Sequence, residues 1–145
     1  MAGMTRAATP LLALPADASD ALIARHPLLF RGWLGADATL VPFERSFGCS
    51  RHWLPVLEVA CDALEDGLEA ELSRGACLHR LPAPYRVHER FGELRMELLY
   101  GTSWSDRILE CLAHQSRHIC PGCGAMALSP VLRLHGTCRC APEGR

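Results

Sequence analysis

The amino-acid sequence predicts a single α+β domain: two main helices packed on a small antiparallel sheet, with a C-terminal zinc-ribbon-like knuckle. Three observations predict this class. The segment 52–75 has the periodicity of an amphipathic helix, the segment 83–101 alternates as a β-hairpin does, and two close cysteine pairs stand near the C-terminal end. Helical and strand periods of this kind distinguish the two element types.

Length and composition fit one soluble domain. The chain has 145 residues and a formal net charge of −1, whereas proteins that depend on phosphate contacts usually carry a strong basic excess. No run approaches the roughly 20 apolar residues of a membrane span. The short apolar patch near the start is interrupted by Pro10 and Pro15, which disfavours a secretory signal. We therefore expect a cytoplasmic protein, with residues 1–16 as a flexible N-terminal lead and 17–145 as the domain.

The first part of the domain combines a short helix with irregular structure. Asp17 or Ser19 is positioned to cap a helix that runs through Arg25, and the next proline stops it. The glycine-containing segment 31–48 has no sustained period. We expect it to be irregular, with one short strand at Thr39–Val41.

The segment 52–75 is the clearest helix. Its apolar residues recur at steps of three and four, which places them on one stripe. Pro55 suits the first turn and Gly75 suits the end. The stripe consists of Leu54, Leu57, Cys61, Leu64, Leu68 and Leu72. Acidic residues fall off the stripe and are expected to form an outer face: Glu58, Asp62, Glu65, Glu69 and Glu71.

A hairpin and a second main helix follow. The alternation over 83–101 predicts two strands with Gly92 at the turn. Apolar residues of the second strand are expected to face the long helix: Leu94, Met96, Leu98 and Tyr100. The helix over 103–118 has Ser103 and Ser105 as cap candidates. Its predicted buried residues are Ile108, Leu109, Leu112 and Ile119.

The cysteine pairs carry the strongest chemical signal. Cys120 and Cys123 form a CxxC pair followed by Gly124, and Cys138 and Cys140 follow after 14 intervening residues. Two residues between cysteines let both sulfurs turn inward, and the glycine gives the tight turn its backbone freedom. Four thiolates form the closed tetrahedral shell of structural zinc. We therefore expect one structural Zn²⁺ in a knuckle over residues 117–141.

Other roles for these cysteines stay open. Four thiolates can hold an iron–sulfur cluster, and in an oxidising compartment the pairs would form disulfides. The short spacing and the cytoplasmic interpretation favour zinc. Because a CxC pair chelates with tighter geometry than CxxC, a histidine can replace Cys138 or Cys140. The candidates are His135, His118 and His114.

The remaining cysteines allow a second cluster. Cys49 and His52, with Cys77 and His79, have spacings compatible with another metal site. Alternatively, Cys49 near His52 could serve a cysteine-dependent enzyme. The simpler interpretation is that the extra cysteines are small apolar core residues. No carboxylate pair, nucleophile elbow or phosphate loop accompanies the histidines, so we expect no enzymatic activity.

Four stretches resemble a family of small proteins found in bacteria and their phages: 22–31, 48–61, 87–101 and 117–125. That family typically has Cys-Gly-Asp-Gly-Trp before its long helix, a Val-x-Glu-Lys-Phe-Gly-Gly-Leu-Arg segment and a C-terminal Cys-x-x-Cys-Gly. This chain has Cys-Ser-Arg-His at 49–52 instead, and Cys140 where the family usually has a histidine. The resemblance implies a fold and a metal knuckle, and brings no settled activity. Matching positions are Cys49, Trp53, Cys61, Glu89, Phe91, Gly92, Leu94, Arg95, Cys120, Cys123 and Cys138.

These observations favour a non-enzymatic, zinc-stabilised binding protein that acts through protein–protein interaction, as an inhibitor or immunity-type protein of bacterial or phage origin. The predicted partner-binding residues are Glu58, Asp62, Glu65 and Glu69, which would meet a basic surface; a simply solvated helix face is the plainer alternative. The second hypothesis is a nucleic-acid-binding zinc-ribbon module. Its candidate contacts are Arg107, Arg117, Arg133, Arg139 and Arg145.

Overall fold

The computed structural model describes residues 13–42, 44 and 46–126. In chain order they form α1 (Ala16–Arg25), a 3-10 turn (Arg51–Trp53), α2 (Leu54–Ser73), a second 3-10 turn (Leu78–Arg80), β1 (Ala83–Arg90), β2 (Glu93–Leu99) and α3 (Ser103–Ser116). The strands pair in one antiparallel sheet. The predicted α+β class is therefore confirmed, whereas residues 127–141 of the predicted knuckle lie outside the described residues.

The N-terminal part of the described chain is packed before residue 17. Leu14 is buried, and its N–H donates to the carbonyl oxygen of Cys49 at 3.2 Å. Residues 1–12 of the predicted lead lie outside the described residues. Helix α1 begins after Pro15 and has no side-chain cap, so the predicted cap by Asp17 or Ser19 is wrong. Both residues fall inside the first turn, where they bond to neighbouring backbone groups.

Helix α2 buries the predicted stripe. Leu57, Cys61, Leu64 and Leu68 lie in the core, and the residues at the two ends of the stripe are partly buried. Pro55 occupies the first turn, as its missing N–H requires. Burial of these apolar side chains contributes to the hydrophobic stabilisation of the domain.

The turn after α1 is held by an acid from α2. The carboxylate of Glu65 accepts hydrogen bonds from the backbone N–H of Leu28 at 3.0 Å and of Leu29 at 2.8 Å. Glu65 is buried, so the prediction that it lies on an outer face is wrong. The physical reason is that buried N–H groups of an irregular segment need an acceptor, which a carboxylate provides.

A buried arginine joins the same turn to the sheet. The guanidinium of Arg31 donates to four carbonyl oxygens, those of Leu28, Leu78, Leu81 and Pro82, at 2.6–3.2 Å. The carboxylate of Asp37 lies 3.9 Å from its Nε. A buried cation is tolerated only with such partners, so Arg31 fixes where the second 3-10 turn and β1 begin.

The expected strand at Thr39–Val41 is absent from the described residues. A turn takes its place, in which the Oδ1 of Asp37 accepts from the backbone N–H of Thr39 at 3.1 Å and from its hydroxyl at 2.6 Å. Aspartate commonly closes turns in this way. These two hydrogen bonds, with His79, lower the pKa of Asp37 to about 2.

The hairpin is confirmed, with one correction to its packed face. Leu94 and Met96 are buried, but Tyr100 is 54% exposed. Its φ of +56° turns the chain away at the end of β2, so its ring does not continue the alternation. Among the helices, strand β2 packs chiefly against α3, which in turn packs against α2. The N–H of Leu94 donates to the hydroxyl of Ser116 at 2.8 Å.

Helix α3 docks on α2 through a tryptophan and a glycine. Thr102 is the N-cap and forms a capping box with Ser105, so Ser103 is not the cap. The indole N–H of Trp104 donates to Glu71 at 3.1 Å. A Cβ at position 67 would lie 2.4 Å from a ring carbon of Trp104, so Gly67 makes room for the ring.

We predict that Gly67→Ala destabilises the protein although alanine is the better helix former by about 1 kcal/mol. Overpacking against Trp104 should lower the free energy of unfolding by about 1–3 kcal/mol, as measured by denaturant unfolding. The control is Asp66→Ala at the neighbouring exposed position, which should change stability by less than about 0.5 kcal/mol. A Gly67→Ala protein as stable as the original would contradict this packing.

Candidate metal centre

Hydrogen bonds between backbone groups close the CxxC turn. The N–H of Cys120 donates to the carbonyl of Ala125 at 2.9 Å, and the N–H of Gly124 donates to the carbonyl of Cys120 at 2.8 Å. Within the turn, the N–H of Gly122 points at the Sγ of Cys120 at 3.3 Å. Hydrogen bonds to a charged acceptor favour its charged form, so this turn suits a metal-bound thiolate.

Two features of this turn require glycine at position 124. Its φ is +78°, in the left-handed region that favours glycine, and a Cβ there would lie 2.8 Å from the Nδ1 of His52. His52 is therefore packed against the knuckle.

Two side chains that precede α2 hold the CxxC turn against the core. The hydroxyl of Ser50 donates to the carbonyl of Pro121 at 2.6 Å. The indole N–H of Trp53 donates to the carbonyl of Ile119 at 3.0 Å, and Trp53 is fully buried. Sequence reasoning missed this pair of bonds. The sequence feature that could have indicated these bonds is the tryptophan before the long helix, to which no role was assigned.

Two of the four predicted zinc ligands lie among the residues that the structure describes. Cys120 is buried and Cys123 is exposed, and they stand at the two ends of the same turn. Cys138 and Cys140 lie outside the described residues. Across residues 13–42, 44 and 46–126, no three His, Cys, Asp or Glu side chains are placed to share a metal ion. The described half of the predicted zinc site fits a thiolate-bound metal, and zinc binding stays a prediction.

The alternative histidine ligands are positioned as follows. His114 and His118 lie at the end of α3 with ring centroids 5.2 Å apart. The guanidinium of Arg117 bonds to the Nδ1 of His114 at 3.0 Å, which occupies one ring nitrogen. His135 lies outside the described residues.

The second cluster proposed from sequence is not brought together. Cys49 is buried next to the knuckle, while Cys77 is exposed and His79 bonds to Asp37 at 3.1 Å. Burial, with the nearby carboxylate of Glu89, raises the pKa of the Cys49 thiol to about 12. A thiol held in its protonated form is a poor nucleophile and a poor metal ligand, which weighs against a Cys49–His52 enzyme.

The predicted acidic partner face is largely engaged within the molecule. Glu58 pairs with Arg25 at 3.2 Å, and Asp62 accepts from His26 at 2.6 Å. Glu65 is buried, as described above. Glu69 is exposed, and the side chain of Asp62 is also exposed although it bonds to His26. A partner role for the four residues stays a prediction.

Comparison with protein families, with curated proteins and with solved structures finds no match to this chain. The interpretation of the knuckle therefore depends on its geometry and on its ligand chemistry.

We predict one zinc ion per chain in protein purified without added metal, measured by elemental analysis. Cys123→Ser should lose the metal and make the C-terminal region sensitive to proteolysis, because metal binding and folding are coupled at such sites. Cys111→Ser is the matched control, since Cys111 is exposed on α3. Metal-free protein of unchanged stability would rule out the site.

Proposed function

We propose that this chain is a non-enzymatic, zinc-stabilised binding protein that acts on a protein partner in the cytoplasm, as an inhibitor or immunity-type protein of bacterial or phage origin. The observation that supports this most strongly is the tip of the β1–β2 hairpin. Phe91 is 88% exposed there, the highest exposure among the large apolar side chains of the described residues.

The conformation of Phe91 is costly for an aromatic residue. Phe91 and Gly92 form the two-residue turn, with φ values of +52° and +79°. Both positive angles are typical of a type I′ turn, in which Asn-Gly is preferred. A bulky residue in this region costs on the order of 1–3 kcal/mol. The exposed ring buries no surface in the core, so we attribute its presence to a contact outside the molecule.

The charges around the tip favour a protein over a nucleic acid. The guanidinium of Arg90 stacks on the Phe91 ring, with its central carbon 5.3 Å from the ring centroid. Glu89 and Glu93 flank the turn on either side, and Arg95 and Arg117 pair with Glu93. The charges at the tip are therefore mixed, whereas nucleic-acid-binding surfaces usually carry a strong basic excess. The partner surface complementary to this tip would be an apolar pocket for the Phe91 ring, with acidic residues at its rim that meet Arg90.

The metal has a structural part in this proposal. A closed shell of four thiolates leaves no position for water or substrate. The zinc would hold the C-terminal region against Trp53, and the hairpin would be free to make the contact. Of the arginines predicted for the alternative nucleic-acid module, Arg117 is paired with Glu93 and Arg107 is exposed on α3, while the other three lie outside the described residues.

We predict that Phe91→Asn abolishes partner binding while leaving the fold intact. Asparagine suits the left-handed position, so the free energy of unfolding should stay the same or rise by up to about 1 kcal/mol. The wild-type chain and the variant are used to recover partners from the native host. A recovered protein is then purified and mixed with each chain, and the complex is measured by size-exclusion chromatography.

Val59→Asn provides the control, because Val59 is another exposed apolar residue at 62% exposure, located on α2. It should leave the stoichiometric complex intact. Equal binding by wild type and Phe91→Asn would place the contact elsewhere. Recovery of DNA or RNA with salt-sensitive affinity, and of no stoichiometric protein, would support the nucleic-acid alternative instead.

A further inference from the structure

A cleft opens where the second 3-10 turn meets the connection between β2 and α3. Its volume is about 740 Å³, within the range of small-molecule sites. The lining residues are Thr39, His79, Arg80, Tyr100, Gly101 and Thr102. None of the four predicted zinc ligands or the hairpin-tip residues belongs to it, so its chemistry is independent of the proposed function.

A buried carboxylate orients the histidine of this cleft. Asp37 is 6% exposed, and its Oδ2 lies 3.1 Å from the Nδ1 of His79, whose own side chain is 68% exposed. The other oxygen of Asp37 is occupied by Thr39. Because an ionised carboxylate accepts hydrogen bonds only, His79 carries a proton on Nδ1. Its Nε2 is the ring nitrogen left to meet a ligand.

Two further polar groups in the cleft have no partner among the described residues. The guanidinium of Arg80 makes no side-chain hydrogen bond or ion pair there, and neither does the hydroxyl of Tyr100. Tyr100 adopts a φ of +56°, an uncommon backbone for a bulky residue. The hydroxyls of Thr39 and Thr102 are already engaged, with Asp37 and with the capping box. The unpartnered groups are therefore a cation, a phenol and an oriented imidazole.

We propose that this cleft binds a phosphorylated small molecule, with Arg80, Tyr100 and the Nε2 of His79 contacting the phosphate group.

The donor set favours a phosphate over a carboxylate. The planar guanidinium of Arg80 can hold two oxygens of a phosphate at once, and the hydroxyl of Tyr100 can donate to another. A phosphate monoester that keeps one O–H can donate it to the Nε2 of His79, whereas an ionised carboxylate has no proton to donate. The cleft is larger than phosphate alone requires, and the half-exposed ring of Tyr100 offers an apolar face for the organic part of an ester.

The test is a titration of the full-length protein with inorganic phosphate and with phenyl phosphate, followed by NMR of backbone and side-chain signals. We expect shifts centred on Arg80, Tyr100 and Gly101, with phenyl phosphate binding more tightly than inorganic phosphate. Equal affinities would assign the site to free phosphate rather than to an ester, and would overturn the proposed ligand class.

Arg80→Gln should weaken phenyl phosphate binding by about tenfold or more, the effect of losing a charge-assisted contact. Arg74→Gln is the matched control, because Arg74 is an exposed arginine that pairs with Glu71 at 3.2 Å outside the cleft. It should leave the affinity unchanged. If the two variants weaken binding equally, or if phosphate shifts arginines all over the surface, the proposal is wrong. Since Cys123→Ser and Phe91→Asn lie elsewhere, neither result bears on this test.

Discussion

The buried indole of Trp53 joins the two halves of this protein. Its ring lies in the core at the start of α2, and its N–H donates to the carbonyl of Ile119, one residue before the CxxC turn. A buried N–H without a partner costs about 1–3 kcal/mol, so the position of α2 determines where the turn sits. Ser50 holds Pro121 from the same segment. Packing of the core and the position of the CxxC turn are therefore coupled through Trp53 and Ser50.

Elements with a regular period could be predicted from the sequence. The apolar spacing in α2 places Leu57, Leu64 and Leu68 in the core, where the structure has them. The alternation through Leu94 and Met96 likewise predicts the hairpin. These patterns are local, because each one records which side of a helix or strand faces the core. The CxxC turn is local as well: hydrogen bonds within residues 120–125 close it, and its metal stays a prediction.

Side chains whose partners lie far along the chain could not be predicted. Glu65 has the spacing of a surface acid, but it serves the N–H groups of Leu28 and Leu29. Arg31 likewise caps carbonyls of the segment 78–82. Irregular segments leave backbone groups to be satisfied, and a sequence pattern does not say which side chain satisfies them. For the same reason, the pairing of Asp37 with His79 could not be predicted. The sequence also did not predict that the ring of Phe91 points outward.

We propose that the CxxC turn held by Trp53 is part of a site for one structural zinc ion. The decisive measurement is X-ray absorption at the zinc edge of the purified full-length chain. We expect a single shell of four sulfur atoms at about 2.3 Å, supplied by Cys120, Cys123, Cys138 and Cys140, with no open coordination position. A shell dominated by nitrogen or oxygen at about 2.0–2.2 Å, or protein that contains no zinc, would contradict it.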